Sequence, residues 1–130
     1  MYKYILSTLV VFFVAFGASA QEKAHINPHG KECPILMPNA FTPNYDGVND
    51  FFFFTFQQDC TPTTFSLQIY DRLGRLVFET KDYEAKWDGQ YDGQDLADGT
   101  YFWVMKSSLT LPEESEPTTY SKKGSVLIVR

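Results

Sequence analysis

The sequence predicts an all-β domain, an antiparallel β-sandwich of about seven short strands. Segments rich in aromatic and branched residues alternate with turns rich in Gly, Pro, Asn and Asp. Apolar residues alternate with polar ones at Phe65, Leu67 and Ile69, as on a strand with one buried face. Aromatic residues make up 17% of the chain, and large rings supply the apolar area that the core of a small domain needs.

Each predicted strand is bounded by a turn signal. Pro38 indicates an edge position for the first strand, and Gly74 lies in the turn of a hairpin. The last two strands are apolar on both faces, which is typical of central strands. A turn-rich loop at 88–99 and an acidic loop at 111–120 separate the later strands. The predicted strands cover residues 35–41, 50–57, 65–71, 75–80, 83–87, 100–108 and 123–130.

The first twenty residues, 1–20, are typical of a signal peptide. Lys3 precedes an apolar run, and Ala18-Ser19-Ala20 forms a small-residue cleavage site. The run is shorter than the roughly 20 residues of a membrane-spanning helix, so an uncleaved anchor is the weaker alternative. We therefore expect an exported chain with a flexible tail at 21–32, one domain at 33–130, and no transmembrane segment after cleavage.

Charge and motif content exclude several function classes. The chain carries a formal net charge of −5 and has no basic stripe, which argues against nucleic-acid binding. It has no phosphate-binding loop, no HExxH motif and no nucleophile–base arrangement, and its acids lie in or beside turns, so we predict that it is not an enzyme. His25, His29 and Cys33 have the spacing of helix-borne metal ligands, but Pro28 and Gly30 argue against a helix there.

Cys33 and Cys60 are the only cysteines, and export to an oxidising compartment favours a disulfide between them. The midpoint between them falls between Asp46 and Gly47, in the strongest turn signal of the region. Two strands flanking that turn would bring the cysteines opposite each other. Closing such a loop stabilises a fold by roughly 3–4 kcal/mol in the chain-entropy model. Free or metal-bound thiols are the alternative.

The turn between the cysteines is rich in side-chain oxygens. These side chains suit a hard cation such as Ca²⁺, although the spacing is not that of an EF-hand. They also suit an ordinary turn, because Asn and Asp accept hydrogen bonds from nearby backbone N–H groups. We favour the structural turn and expect no cofactor, with Ca²⁺ as the alternative. The candidate ligands are Asn44, Asp46, Asn49 and Asp50.

Four consecutive phenylalanines follow this turn. Phe52, Phe54 and Phe56 would share one strand face, and we assign them to the core. Phe51 and Phe53 would then lie on the other face, where an apolar patch often marks an interface.

Four motifs in order resemble the gliding-motility-associated C-terminal domain, the type B sorting domain of the type IX secretion system. They are "MPNAFTPNYDGVNDFF", "LQIYDRLGRLVFET", "YEAKWDGQYDGQDLADGTYFWVM" and "KKGSVLIVR", and they extend over nearly the whole mature chain. The resemblance implies an immunoglobulin-like β-sandwich that directs export across the outer membrane to the cell surface.

The resemblance also singles out individual residues. Its turn motifs correspond here to Pro43, Asn44, Asp46, Gly47, Asn49, Asp50, Trp87, Asp88, Gly89, Asp98 and Gly99. Its closing strand corresponds to Lys123, Gly124, Val126, Ile128 and Arg130.

Three aromatic residues occupy positions for which the sequence predicts a particular environment. Tyr45 stands where the family usually has Gly, which adopts a positive φ at no steric cost. Either the backbone takes a negative φ at Tyr45 or Gly47 carries the turn alone, and we favour the second. Trp87 is expected to be a buried indole followed by a turn, with carbohydrate stacking as the alternative. Trp103 is expected in the core or at an interface.

These observations predict a non-enzymatic exported domain that acts through protein–protein contacts at the cell envelope. The expected partners are outer-membrane secretion or surface-anchoring proteins, recognised by β-edge pairing and aromatic burial. The closing segment Gly124–Arg130 would present backbone groups and Arg130 to such a receptor. The alternatives are an independent calcium- or glycan-binding module using the 44–50 loop, or a truncated product with no role of its own.

Overall fold

The computed structural model describes residues 33–57, 60–110 and 115–130, which form strands and turns with no helix among them. The all-β class is therefore confirmed, with nine strands in these described ranges in place of about seven. In chain order they are β1 (Ile35–Leu36), β2 (Ala40–Phe41), β3 (Thr55–Phe56), β4 (Pro62–Tyr70), β5 (Leu76–Thr80), β6 (Gln90–Tyr91), β7 (Gln94–Asp95), β8 (Gly99–Leu109) and β9 (Thr118–Ile128).

A five-stranded sheet in the order β2-β9-β8-β4-β5 forms one layer of the sandwich. β8 and β9 pair antiparallel over their full length, from Gly99 opposite Ile128 to Leu109 opposite Thr118. β8 is the middle strand, as its apolar composition predicts. Along β4, Phe65, Leu67 and Ile69 are buried while the intervening residues are less so, which confirms the predicted alternation.

The second layer is built from much shorter elements. β1 and β3 pair antiparallel over two residues each, and an isolated bridge joins Phe52 to Trp87. Aromatic rings of this layer face the large sheet. The ring centroid of Phe54 lies 5.2 Å from that of Trp103 and 6.0 Å from that of Phe65. Such tilted or edge-on ring pairs fill the space between the layers.

The predicted first strand, 35–41, is divided between the two layers. Its first part, β1, pairs with β3, whereas its second part, β2, pairs in parallel with the end of β9. Pro38 lies between them and has no N–H to continue a ladder. The chain therefore changes sheets at the proline that the sequence marks as an edge residue.

Two further strand predictions and two loop predictions are wrong in part. The segment 50–57 is a strand only at Thr55–Phe56, and 83–87 is not a strand, although Trp87 forms the bridge with Phe52. The loop predicted at 88–99 contains the β6–β7 hairpin. Part of the loop predicted at 111–120 belongs to β9, whose side chains there are polar and carry little of the apolar signal expected of a strand.

Cys33 and Cys60 form a disulfide, with their Cα atoms 5.8 Å apart, as predicted. The strand register differs from the prediction by one residue in its centre. Ile35 lies opposite Phe56, so the paired strands are centred between Tyr45 and Asp46, and not between Asp46 and Gly47. The connection between β1 and β3 is longer than a hairpin turn because it contains β2, which pairs with β9 in the large sheet. The predicted signal peptide, the tail, and His25 and His29 lie outside the described residues.

Candidate functional site

The carboxylate of Asp50 holds the 43–50 loop together. Its Oδ1 accepts hydrogen bonds from the backbone N–H of Asn44 (3.1 Å) and of Tyr45 (2.8 Å), and its Oδ2 accepts one from Gly47 (2.7 Å). Asp50 is 8% exposed. A buried carboxylate is stabilised by such converging N–H donors, so Asp50 closes the turn from within.

The neighbouring oxygens of the loop also accept backbone hydrogen bonds. Asn44 Oδ1 accepts from the N–H of Asp46 (3.1 Å), and Asp46 Oδ1 accepts from that of Val48 (2.8 Å). These are Asx turns. Among the described residues, no group of three or more His, Cys, Asp or Glu side chains is arranged to hold a metal ion. These hydrogen bonds support the interpretation of the loop as a structural turn, and Ca²⁺ binding remains the untested alternative.

The prediction for Tyr45 is wrong. Its φ is +61°, and Gly47 at +87° and Asn49 at +55° are also in the left-handed region, so Gly47 does not carry the turn alone. Two contacts hold the Tyr45 backbone and ring: its N–H donates to Asp50, and its hydroxyl accepts a 2.7 Å hydrogen bond from Gln90 Nε2. The side chain that replaces the expected glycine therefore joins the loop to β6.

Trp87 is a buried indole followed by a turn, as predicted. It exposes 1% of its surface, and its Nε1 donates to the carbonyl of Gln90 at 3.1 Å. Its ring centroid lies 5.5 Å from those of both Phe41 and Tyr101. Asp88 accepts from the N–H of Gln90 and thereby shapes the turn. Because the indole is enclosed in the core, it has no open face for stacking on a sugar.

Arg130 binds the segment that follows this turn. Its backbone N–H donates to Asp98 Oδ2 at 3.0 Å, and its Nη1 lies 3.3 Å from Asp98 Oδ1 and also donates to the carbonyl of Leu96. Its Nη2 lies 3.4 Å from the carbonyl oxygen of Gly89 and 3.7 Å from Asp95 Oδ1. We call these five residues the Arg130 clamp. The clamp fastens the residues after β9 to the β6–β7 hairpin.

Gly89 lies at the centre of this end of the sandwich. Its φ is +75°, and a Cβ atom there would stand 3.2 Å from Pro43 Cγ and 3.3 Å from Ile128 Cδ1. Glycine meets both the conformational and the spatial requirement. The motif residues Pro43, Gly89, Asp98, Ile128 and Arg130, which are far apart in the sequence, therefore converge at one place.

The inward-facing side of β9 belongs to the core. Val126 is 1% exposed and Ile128 is fully buried. Gly124 lies opposite Trp103, and a Cβ atom there would approach the indole Cζ2 to 2.6 Å. The indole thus occupies the space that a side chain at 124 would take, which explains glycine in the closing motif.

The outer edge of β9 is only partly covered. Leu127 donates its N–H to the carbonyl of Asn39 at 2.9 Å, and Val129 donates to that of Phe41 at 3.1 Å. Backbone groups alternate along a strand, so the N–H groups of Ser121, Lys123 and Ser125 point to the same edge. Within the described ranges, β2 is the strand that pairs along this edge, and it reaches only Leu127 and Ile128. We call Ser121–Ser125 the open edge.

Comparison with protein families assigns the chain. Residues 35–128 match the model of the CHU_C type IX secretion signal domain. The chain belongs to this family. The matched residues include the turns that meet at the Arg130 clamp. They also include the closing motif except for its last two residues. It is a family of sorting domains and not of enzymes, and it implies a secreted or surface protein. No curated protein matches the chain.

The predicted division of the phenylalanines is confirmed in this signal domain. Phe52 is fully buried and Phe54 is 5% exposed, whereas Phe51 is 41% exposed. Phe56 is half-buried and packs on the core, and the ring of Phe53 lies 5.1 Å from Lys86 Nζ. The outward phenylalanines line an apolar groove of about 400 Å³ together with Leu36, Met37, Pro38 and Ala40.

Two ionisable side chains beside the clamp have shifted pKa values. Burial, with a smaller contribution from the negative charge of Asp71, raises the pKa of the Tyr101 hydroxyl, which donates to the carbonyl of Ala97 at 2.8 Å. Backbone N–H groups of Arg75 and Leu73, together with the Arg75 guanidinium, lower the pKa of Asp71. Asp71 thereby closes the β4–β5 turn much as Asp50 closes the 43–50 loop.

Sequence reasoning missed several residues of this site. Asp95, Leu96 and Gln90 belong to the clamp or to its contact with Tyr45, and Tyr101 supports it from β8. Their positions depend on the β6–β7 hairpin, whose sequence signal is "YDGQ" between two short polar strands. No helix in the described part of the signal domain is long and apolar enough to cross a membrane.

Proposed function

We propose that this signal domain engages the type IX secretion machinery by strand addition at the open edge of β9. The observation that carries the proposal is the row of backbone groups from Ser121 to Ser125 beyond the reach of β2. An extended segment of a partner pairs with such an edge through main-chain hydrogen bonds. We further propose that the partner is an outer-membrane secretion or anchoring protein, and that the exported protein resides at the cell surface or in an envelope complex.

The other edge of the large sheet suits this purpose less well. β5 has five residues against eleven in β9, and its pairing with β4 is interrupted by a register shift next to Tyr70. Irregularities of this kind twist an edge and discourage further pairing. Phe78 of β5 also packs against Trp87 of the second layer, with ring centroids 6.2 Å apart. β9 therefore offers the longer and more regular template.

In the folded domain the Arg130 side chain is already engaged by residues of the Arg130 clamp. The Arg130 side chain is 23% exposed, and its guanidinium already contacts Asp98, Leu96 and Gly89. These contacts already use both terminal nitrogens, Nη1 and Nη2, of the guanidinium. We therefore propose that Arg130 fixes the direction of β9, and that backbone pairing supplies the recognition.

Substitution of Ser125 by proline tests the proposal directly. The N–H of Ser125 points to the open edge, so proline removes an edge donor and leaves the pairing with β8 intact. The full chain is expressed in a bacterium with type IX secretion, and the fraction reached by external protease is measured. We expect S125P to remain in the periplasm and S125T to reach the surface.

Two controls make the result decisive. The melting temperatures of purified S125P and S125T should agree within a few degrees, which separates a blocked edge from an unfolded domain. If S125P is unstable, S121P removes another edge donor further from β2. Normal surface delivery of a stable proline variant would exclude the edge as the recognition site. Deletion of Ser125–Arg130 is less informative, because it also removes Val126 and Ile128 from the core.

A further inference from the structure

A positive charge lies on each side of the open edge. Lys122 lies opposite Met105, on the sheet side that faces the second layer, yet its side chain is exposed. Lys123 lies opposite Val104 on the outer side, and Lys106 lies next to it on that side, opposite Ser121. Among residues 33–57, 60–110 and 115–130, none of these three lysines forms an ion pair with an acid.

Protection against aggregation explains only part of this arrangement. Lysines on an edge strand discourage pairing between copies of a protein, and Lys122 and Lys123 suit that role. Lys106 is on β8, the central strand, where an edge-protecting charge has no function. It nevertheless extends the positive surface beside the edge, in a chain whose formal net charge is −5.

We infer that the segment received by the open edge is acidic, with neighbouring carboxylates opposite Lys122 and Lys123. Successive side chains of an extended segment point to opposite faces of a sheet. One carboxylate would therefore meet Lys122 on the inner side, and the next would meet Lys123 and Lys106 on the outer side. This inference rests on the proposed function, since it names the chemistry of the partner that the edge receives.

Charge also argues against a second copy of this chain as the occupant. Antiparallel pairing of two β9 edges would bring the lysines of one copy beside those of the other, and like charges on neighbouring strands are destabilising. Charge complementarity raises association rates and suppresses wrong partners. An acidic segment would form ion pairs with the three lysines, whereas a second β9 would place further positive charges beside them.

Peptide binding tests this inference. The probes are three fluorescein-labelled peptides that differ only at two central positions, TVTEEVTVT, TVTQQVTVT and TVTKKVTVT. Dissociation constants are measured by fluorescence anisotropy with the full chain at low and at high salt. We expect the glutamate peptide to bind at least about tenfold more tightly than the glutamine peptide at low salt, and the difference to shrink at high salt because exposed charges are screened.

Two variants separate this inference from the proposal on which it rests. K106Q/K122Q/K123Q should bind the glutamate and glutamine peptides equally, whereas S125P should bind neither. Equal binding of the two peptides by the unaltered chain, with loss in S125P, would overturn the acidic preference and leave edge pairing standing. Unchanged binding by S125P would overturn edge pairing itself. Failure of the unaltered chain to bind the glutamate peptide would overturn the inference as well.

Discussion

The indole of Trp103 packs directly on the backbone of Gly124, its partner on the neighbouring strand. A glycine in a strand has no side chain to pack, and it loses more conformational entropy on folding than other residues do. Here the aromatic ring of the opposite residue covers the glycine backbone. The relationship fixes the identity of both residues, because neither a smaller ring nor a larger residue 124 would fill the same space.

Replacement of Gly124 by alanine should therefore destabilise the domain. The added Cβ would stand 2.6 Å from the indole Cζ2, so the ring or β9 must move. Overpacking of this kind reduces the free energy of unfolding by about 1–3 kcal/mol. Urea unfolding measures the change. S125A is the matched control, since its exposed side chain faces away from the core, and equal stability of G124A and S125A would contradict the prediction.

Loss of the Arg130 clamp should loosen the β6–β7 hairpin. R130M keeps much of the aliphatic length of the side chain but removes the guanidinium contacts with Asp98, Leu96 and Gly89. We expect the free energy of unfolding to fall by about 1–3 kcal/mol, as for hydrogen bonds that involve charged groups. Amide exchange should rise at Leu96 more than at Met105 in the central strand. A uniform rise at both positions would argue that the clamp has no local role.

Loss of the Asp50 carboxylate should destabilise the domain more than loss of the Asp46 carboxylate. D50N replaces one acceptor oxygen by an NH₂ group that faces a backbone donor, in a side chain that accepts three backbone hydrogen bonds. The expected loss is about 1–3 kcal/mol, because a partly buried backbone N–H is left without its acceptor. D46N, in an exposed Asx turn, should lose less than about 1 kcal/mol. Denaturant unfolding of both variants compares them.

Calcium should leave the thermal stability unchanged. Both carboxylate oxygens of Asp50, Asn44 Oδ1 and Asp46 Oδ1 already accept backbone hydrogen bonds, so a cation would have to displace these donors. A ligand that binds only the folded state raises the melting temperature. Melting curves with millimolar Ca²⁺ and with a chelator should coincide. A rise with Ca²⁺ that disappears in D46N would instead support the calcium interpretation.

Alkaline pH should unfold the domain partly through Tyr101. Its pKa in the folded state is raised, chiefly by burial, so its contribution to stability is complete below its unfolded pKa of about 10 and is lost as pH rises through the folded pKa. Y101F lacks this titration. The fall in melting temperature between about pH 9 and about pH 11 should therefore be smaller in Y101F than in the unaltered chain. An equal fall in both would refute the assignment.

Local patterns in the sequence were sufficient to predict the all-β class, the disulfide, and which phenylalanines face the core. The alternation at Phe65, Leu67 and Ile69 depends only on period-two geometry, and a lone cysteine pair allows one bridge. Such features follow from short-range chemistry, and the structure confirms them.

The features that sequence missed depend on contacts between distant segments. β1 and β2 have two residues each, too few to show any periodicity, and their partners are β3 and β9. The positive φ of Tyr45 is stabilised by Asp50 and Gln90, which propensity alone does not reveal. Arg130 contacts residues more than thirty positions earlier. The end of the sandwich where the motifs converge is therefore defined by tertiary structure.

The uneven lengths of the ladders divide the molecule into a rigid half and a yielding half. β8 and β9 are joined over eleven residue pairs, whereas β1 and β3 share only two. Fluctuations that open a few hydrogen bonds would release much of the second layer while the long ladder stays closed. The Cys33–Cys60 disulfide joins the two ends of that weaker half. A reducing agent should therefore destabilise the second layer first, and the β8–β9 ladder should be the last part to unfold.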